Sequence, residues 1–224
     1  MSVNDPSRFG IVTIRGKNIE KIVEKPKNSQ SNLVVIGVYF LDSSIFQIIN
    51  NLKPSDRGEL EMTEALEGYI YSRKNIEYCN VSGWWKDLVT PQDILDANSL
   101  ILENLDTKIY GIVGSPSSLV GRISKGKNTE IKSCLIRGPA TIGENSNIGS
   151  QVHLGPFTAI GNNVNKRQAN IESSNIMDNC IIDTPTRIIS SIIGNDSMIT
   201  TMSPNSNSSK GHIFLLGERS QVSL

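Results

Sequence analysis

The sequence predicts an α/β segment followed by an all-β parallel β-helix. Up to about Leu105, strand-like and helix-like segments alternate, whereas beyond about Tyr110 the chain is rich in Gly, Asn, Ser and Ile. In the second region an aliphatic residue recurs every six positions. We therefore expect two domains, residues 1–105 and residues 106–224.

Three segments of the first region predict strands, because they are rich in β-branched and aromatic residues and are separated by Gly16, Pro26 and an Asn/Ser cluster. These segments are residues 9–14, 19–23 and 33–41. Two further segments place apolar residues on one helical face and predict amphipathic helices. The apolar positions are Met62, Leu66, Tyr69 and Ile70 in the first, and Ile94, Ala97, Ile101, Leu102 and Leu105 in the second.

The start of the second helix is defined by its own residues. Thr90 can cap the free backbone N–H groups, and Pro91 suits the first helical position. Asp93 adds negative charge near the positive end of the helix dipole. A helix is therefore expected to begin at Pro91.

The six-residue repeat of the second region indicates a coil of short strands. Its aliphatic positions are followed by glycine at four of five sites, and three units can close one triangular turn with these side chains pointing inward. The positions are Ile136, Ile142, Ile148, Leu154 and Ile160, with Gly143, Gly149, Gly155 and Gly161. Residues 166–170 are charged, so we expect them to leave the interior in a bulge or loop before the repeat resumes at Ile176.

Composition favours a small-molecule substrate over nucleic acid or a membrane surface. The 22 Lys and Arg residues match 22 Asp and Glu, and no polybasic run is present. Cys79, Cys134 and Cys180 have neither zinc-site spacing nor disulfide density, which favours a reducing cytoplasm. Residues 1–8 lack the apolar region of a signal peptide, and no stretch is long and apolar enough to span a membrane.

Several strings follow one another in an informative order: Asp5-Pro6-Ser7-Arg8-Phe9-Gly10, Val23-Glu24-Lys25-Pro26, Arg57-Gly58-Glu59-Leu60-Glu61 and Trp84-Trp85-Lys86-Asp87. Together with residues 37–40 they resemble the sugar-binding half of glucose-1-phosphate thymidylyltransferases. Residues 216–222 resemble the closing string of the family's long form. The resemblance implies part of a Rossmann-like nucleotidyltransferase domain followed by a left-handed parallel β-helix.

Substrate-binding roles for seven residues follow from this resemblance alone. Glu24 would bind sugar hydroxyls and Lys25 the sugar phosphate, for which a point-charge ammonium is suited. Phe9 and Gly10 match a pair at which the backbone approaches the sugar closely, as glycine permits. Val35 matches a position whose backbone contacts glucose, and a loop lining the sugar pocket would contain Arg57 and Glu59.

Asp87 matches a metal-binding aspartate that helps to hold Mg²⁺ against nucleotide phosphates. The family string Asp-x-Gly-Thr-Pro reads Asp87-Leu88-Val89-Thr90-Pro91, so Val89 would strain the turn if it needed a positive φ. The family's Gly-rich nucleotide loop and first metal aspartate do not appear in these 224 residues. We therefore assign no catalytic residue and expect the second Mg²⁺ ligand to lie outside this chain.

The implied reaction joins a sugar 1-phosphate to a nucleoside triphosphate, and dTTP with glucose 1-phosphate would give dTDP-glucose and pyrophosphate. A solvated Glu-Lys-Pro turn, a purely structural Val35 and an exposed turn at Asp87 remain open as non-functional readings. One alternative function is a hexapeptide-repeat acetyltransferase with His153 or His212 as general base. Another is a non-catalytic assembly module, because such coils associate side by side, and a homo-oligomer is expected in either case.

Overall fold

The computed structural model describes residues 1–3, 5–201 and 210–224. These residues form two compact units, Met1–Trp84 and Trp85–Leu224. The boundary predicted at 105/106 separates two kinds of sequence pattern and stays a prediction, whereas the two compact units meet between Trp84 and Trp85. The expected order of an α/β segment followed by an all-β coil is confirmed.

A two-stranded antiparallel hairpin organises the first unit. A short 3₁₀ helix, Pro6–Arg8, leads into β1 (Gly10–Arg15), which pairs with β2 (Asn18–Glu24). The register places Gly10 opposite Glu24 and shifts between Thr13 and Ile14. Both strands agree with prediction to within a residue or two.

The strand predicted at residues 33–41 is wrong beyond its first residues. Leu33 forms an isolated bridge to Ser2, and Val34 forms one to Ile11. The described residues offer no neighbouring strand to positions 36–42, and Phe40 is 97% exposed. A β-branched sequence forms a strand only where another backbone supplies hydrogen bonds, so propensity alone was insufficient.

Two helices complete the first unit. The predicted helix is α2 (Met62–Tyr71), whereas α1 (Ile45–Ile49) was not predicted because five residues are too few to show a helical period. Ile45, Ala65 and Tyr69 form a small buried cluster between them. Tyr69 also donates a 3.1 Å hydrogen bond to Asp42, which joins the loop before α1 to α2.

The third helix, α3 (Pro91–Glu103), begins where it was predicted to begin. Thr90 Oγ1 accepts a hydrogen bond from the Asp93 backbone N–H at 3.2 Å, and the Asp93 carboxylate accepts one from the Thr90 N–H at 2.9 Å. This reciprocal capping box satisfies two of the free N–H groups at the helix start. Asn98 then attaches α3 to the coil through a 3.2 Å hydrogen bond to the Phe157 carbonyl.

The second region forms three parallel sheets that wrap around a common interior, so the predicted β-helix is confirmed. Successive strands of the chain pass from sheet to sheet. The first sheet contains β4 (Ser118–Val120), β7 (Leu135–Arg137), β10 (His153–Leu154), β13 (Asn170–Glu172) and β16 (Arg187–Ile189).

The other two sheets are longer. The second contains β3 (Lys108–Ile109), β5 (Ile123–Lys125), β8 (Ala140–Ile142), β11 (Thr158–Ile160), β14 (Asn175–Ile176), β17 (Ile192–Ile193) and β19 (Leu215–Leu216). The third contains β6 (Glu130–Ile131), β9 (Asn147–Ile148), β12 (Asn165–Arg167), β15 (Ile181–Asp183), β18 (Met198–Thr200) and β20 (Gln221–Ser223).

The interior of the coil is an aliphatic stack, as the repeat predicts. The aliphatic positions of the repeat and of its continuation after Ile176 are each at most 3% exposed: Ile136, Ile142, Ile148, Leu154, Ile160, Ile176, Ile182, Ile188, Ile193 and Ile199. At one corner the chain turns through positive φ at Asn145, Asn163 and Asn179, a conformation that asparagine tolerates. Asn163 donates to Asn179 at 3.0 Å, which continues the stacking outside the core.

The bulge predicted over residues 166–170 is wrong. The repeat continues through β12 and β13, and Lys166 occupies the inward position six residues after Ile160. Lys166 is only 1% exposed and lies between Ile148 and Ile182 in the parallel register. The backbone ladder on both sides keeps the strand in place, even though a charged residue type stands at an aliphatic position.

The three cysteines are all free, with Cys134 and Cys180 buried in the coil and Cys79 exposed. None of the helices in the described ranges has the length and apolar character needed to cross a membrane.

Candidate functional site

Five of the seven predicted substrate residues meet at the open end of the hairpin. The backbone N–H of Lys25 donates to the Phe9 carbonyl at 3.0 Å, and that of Val35 donates to the Gly10 carbonyl at 2.8 Å. The register of β1 and β2 places Glu24 opposite Gly10. Local pairing therefore brings Phe9, Gly10, Glu24, Lys25 and Val35 together.

Gly10 is a point of close packing. A methyl group at its Cα would come within 2.5 Å of Thr63 Cγ2, 3.1 Å of Glu24 Oε2 and 3.7 Å of Val35 Cγ2. Any side chain would therefore push against Thr63 and displace the carboxylate. Glycine is required by these neighbours, whatever its role towards a sugar.

Arg57 connects the loop before α2 to the hairpin. Its Nη1 lies 3.6 Å from Glu24 Oε1 and 3.4 Å from Glu61 Oε1, and its Nη2 donates to Glu59 Oε2 at 2.8 Å. One guanidinium thus faces three carboxylates. The planar fork of arginine suits this arrangement, whereas an ammonium could not reach all three oxygens in the same way.

Lys25 adds a second cation beside Glu24. Its Nζ lies 3.9 Å from Glu24 Oε1, and its side chain remains 41% exposed. Its backbone has a φ of 38°, which turns the chain sharply before Pro26. An exposed ammonium next to a half-buried carboxylate is free to approach an anion from solution.

Sequence reasoning missed three residues of this cluster. Thr63 Oγ1 donates to Glu24 Oε2 at 3.0 Å, and Glu61 is 8% exposed and accepts from Ser55 Oγ at 3.1 Å. Burial raises the pKa of Tyr39, and the negative charge of Glu24 raises it further. The helical pattern of the sequence places Thr63 and Glu61 at the start of α2. Their approach to Glu24 and Arg57 depends on tertiary packing, which that pattern does not specify.

Asp87 belongs to the second unit and is half-buried. Its neighbour Lys86 is paired with Asp93 at 2.9 Å and with Asp96 at 3.0 Å, so the ammonium is directed to the first turns of α3. Hydrogen bonds to Asp93 and then to Asp96 raise the pKa of Lys86. The pKa of Asp93 is strongly lowered, chiefly by Thr90 and then by Lys86.

The turn that follows Asp87 accommodates Val89 without a left-handed backbone. Val89 is absent from the positions of positive φ and is 66% exposed. The β-branched residue therefore causes no strain at this turn, and the sequence change alone gives no reason to discount Asp87 as a metal ligand.

No group of three or more His, Cys, Asp or Glu residues in the described ranges could hold a metal ion by itself. Asp87 supplies one carboxylate. Mg²⁺ is usually bound by one or two protein carboxylates together with substrate phosphates and water. The donor chemistry fits a shared Mg²⁺ site and does not amount to a complete one.

The two candidate general bases lie apart along the coil. His153 is half-buried on β10, where its register partners are Leu135 and Asn170. His212 forms a bridge with Ile188 and stacks on Phe214 with ring centroids 6.3 Å apart. These contacts are structural, and within the described residues none of them involves a carboxylate.

Two family models match most of the chain. Residues 1–104 match a nucleotidyl transferase model, and residues 131–223 match the C-terminal domain model of GMPPB. The glucose-1-phosphate thymidylyltransferase of Streptomyces antibioticus is 33% identical over 99% of this chain and 62% of that protein. The low-salt glycan biosynthesis nucleotidyltransferase Agl11 of Haloferax volcanii is 34% identical, also over 99% of this chain and 62% of its own length.

The bifunctional protein GlmU of Methanococcus aeolicus is 40% identical over 58% of this chain and 32% of that protein. A crystal structure of a candidate glucose-1-phosphate thymidylyltransferase from Bacillus anthracis, in complex with a sucrose, is 41% identical over 48% of this chain and 43% of its own, with a TM-score of 0.41. The chain spans 62% of the length of the first two curated relatives.

Proposed function

We propose that this chain functions in a sugar-1-phosphate nucleotidyltransferase and binds the sugar phosphate, and the match of residues 1–104 to the nucleotidyl transferase model supports this. The more specific proposal is a glucose-1-phosphate thymidylyltransferase, which forms dTDP-glucose and pyrophosphate from dTTP and glucose 1-phosphate. Similarity to an enzyme of that name along 99% of the chain supports this choice. The observation that carries the proposal is the Glu24 carboxylate facing two cations at a glycine that tolerates no side chain.

The Glu24 cluster combines the two kinds of group that a sugar phosphate needs. A carboxylate accepts hydrogen bonds from sugar hydroxyls, and Thr63 fixes the orientation of the Glu24 carboxylate through its 3.0 Å hydrogen bond. Lys25 and Arg57 supply positive charge beside it. We assign Glu24 to the sugar hydroxyls and the two cations to the phosphate.

Arg57 must exchange partners when a phosphate binds. In the structure its donors are shared among Glu24, Glu59 and Glu61. A phosphate group offers two oxygens that can accept a bidentate pair of hydrogen bonds of comparable strength from the guanidinium. Binding would then release Glu24 from the guanidinium and leave its oxygens to the sugar, so phosphate and sugar recognition would support each other.

Asp87 is the proposed Mg²⁺ ligand of this chain. The metal would offset the negative charge of the nucleotide phosphates during transfer. Lys86, held by Asp93 and Asp96, keeps its ammonium away from the role of counter-ion to Asp87. A second carboxylate from outside these 224 residues, phosphate oxygens and water would complete the ligand set.

We also propose a cytoplasmic protein that self-associates through the coil. All three cysteines are free, as expected in a reducing compartment. Light scattering of the purified chain would measure its mass in solution and test the second statement.

Binding of glucose 1-phosphate to this chain tests the function directly. Calorimetric titration should show saturable binding that Glu24→Gln weakens, with weaker binding of glucose or inorganic phosphate alone. Glu20→Gln, on the exposed part of β2, is the matched control. Equal binding by the wild type and Glu24→Gln, or no binding by a chain whose circular dichroism shows it folded, would refute the proposed site.

The nucleotide half of the proposal needs a separate assay. Exchange of labelled pyrophosphate into dTTP, UTP or GTP, measured with Mg²⁺, distinguishes the nucleotide used. Turnover of acetyl-CoA in place of exchange would favour the acetyltransferase alternative.

A further inference from the structure

A lysine lies in the middle of the aliphatic coil. Lys166 is the central residue of β12, with Ile148 opposite on β9 and Ile182 opposite on β15. It is 1% exposed and points inward. The position belongs to the aliphatic repeat, so this amine replaces the apolar group that the stack otherwise uses.

The side-chain nitrogen of Lys166 has no hydrogen-bond acceptor among the described residues. Within the described ranges, its Nζ is a buried side-chain atom without a hydrogen-bond partner. Lys125, the other lysine of the inner stack, is equally buried but donates to the Tyr110 carbonyl near one end of the coil. The same residue type is therefore satisfied at one site and unsatisfied at the other.

The surroundings of Lys166 are almost uncharged. Ile148 and Ile182 face it from the two neighbouring strands, and the buried Cys180, which directly precedes β15, is the titratable group that acts on it. The Cys180 thiol donates to the Gly194 carbonyl at 3.2 Å. Arg167 and Asp183 alternate to the opposite, outer face of their strands.

An ammonium in such a place is costly, whereas a neutral amine is tolerated. Removing an ion from water into an apolar interior has a free-energy cost comparable to the whole stability of a small domain, even after relaxation. Burial also raises the pKa of the Cys180 thiol, so Cys180 is not ionised to compensate at neutral pH. Burial therefore favours the uncharged forms of both the Lys166 amine and the Cys180 thiol.

We propose that Lys166 is a pH-sensitive element of the coil: the turns around β12 close on the neutral amine and loosen when acidification protonates it. The element would act on β9, β12 and β15, which are hydrogen-bonded neighbours in one sheet. It needs no ligand and does not depend on the proposed enzymatic function.

The direction of the effect follows from linkage. Burial lowers the pKa of Lys166 well below its usual range, against a smaller opposing effect of Cys180. An unfolded chain has an ordinary lysine pKa of about 10.4. Between the two values the unfolded chain binds more protons, so stability falls as the pH falls from about 10 and stops falling below the folded pKa.

Unfolding by urea at a series of pH values from 7 to 10 tests this proposal, with circular dichroism as the readout. The ratio of the unfolding constants of wild type and Lys166→Met should fall by up to about tenfold per pH unit as the pH rises. Lys132→Met, at a lysine that is 63% exposed on the same coil, should give a ratio independent of pH. Cys180→Ala removes the thiol that acts on the pKa of Lys166, and the pH dependence of stability caused by Lys166 should remain.

A second measurement covers local opening. Hydrogen exchange, corrected for the intrinsic effect of pH, should show protection at residues 164–183 rising with pH in the wild type and constant in Lys166→Met. A wild-type to Lys166→Met ratio that does not change between pH 7 and 10 would overturn the proposal, because Lys166 would then keep an ordinary pKa. A variant Lys166→Met less stable than wild type at pH 7 would also overturn it.

Discussion

Thr63 donates a 3.0 Å hydrogen bond to the carboxylate of Glu24, although the two residues are 39 positions apart. Glu24 ends β2, and Thr63 lies in the first turn of α2 with only 4% of its surface exposed. The bond fixes one carboxylate oxygen and leaves the other to Arg57 and Lys25. The orientation of the proposed sugar-binding group is thus determined by a helix start.

Thr63→Val should weaken the binding of glucose 1-phosphate by at least roughly tenfold. Valine keeps the shape of threonine but removes a hydrogen bond to a charged group, which is worth about 1.5–3 kcal/mol. Calorimetric titration of the variant against wild type measures the loss. Thr13→Val on the exposed part of β1 is the matched control, and equal losses for both variants would contradict the role of Thr63.

Gly10→Ala should destabilise the first unit and abolish sugar-phosphate binding. Its new methyl group would lie 2.5 Å from Thr63 Cγ2 and 3.1 Å from Glu24 Oε2. The double variant Gly10→Ala with Thr63→Ser removes the nearer atom and keeps the hydroxyl, so it should recover part of the stability and binding. Thermal unfolding and titration measure both, and a double variant no better than Gly10→Ala would show that the clash lies elsewhere.

Arg57→Met should lower the free energy of unfolding by about 1 kcal/mol, a modest figure because the Arg57 side chain is 38% exposed and its ion pairs are screened by solvent. Glu24, Glu59 and Glu61 would then repel one another without a shared cation. Adding Glu61→Gln, at the most buried of the three carboxylates, should restore part of the loss. Urea unfolding gives the values.

Arg15→Met provides the comparison for Arg57. Arg15 pairs with Glu20 across the hairpin, but its side chain is 84% exposed. Its removal should change the free energy of unfolding by less than about 0.5 kcal/mol. Equal losses of unfolding free energy for the two substitutions would mean that the ion pairs of Arg57 stabilise the protein no more than the exposed Arg15–Glu20 pair does.

Local signals predicted the elements whose partners are close in sequence. Thr90, Pro91 and Asp93 define the start of α3 through contacts within four residues, and the structure reproduces that start. The six-residue repeat predicted the inner stack because each turn pairs with the next by the same pattern. In both cases the physical cause lies in the segment itself.

Prediction failed where distant contacts decide. Phe40 has strand propensity, yet without a paired backbone it lies 97% exposed outside any strand. Lys166 was expected to leave the coil because it is charged, but it lies buried between two parallel ladders that hold β12 in place. The partnership of Thr63 with Glu24 could not be read from either string, since it depends on how α2 packs on β2.

The ion pairs of Lys86 with Asp93 and Asp96, here called the Lys86 clamp, should protect the segment that precedes α3. Lys86→Met should speed hydrogen exchange at residues 85–90, because the pairs with Asp93 and Asp96 connect this segment to α3. Lys86→Arg keeps the charge and should retain most of the protection. Exchange followed by mass spectrometry at pH 7 gives the comparison.

Acid should release the same clamp in the wild type. The pKa of Asp93 is lowered chiefly by its hydrogen bonds with Thr90, and that of Asp96 chiefly by its hydrogen bond with Gln92. Lys86 lowers both pKa values further. Their stabilising effect is therefore present above the unfolded value of about 3.9 and is lost as the pH falls towards the native values. Between pH 4 and 2, Lys86→Met should lose less exchange protection at residues 85–90 than the wild type, because it already lacks one cause of the lowered Asp93 and Asp96 pKa values. Identical acid profiles would show that Lys86 does not hold the segment that carries Asp87.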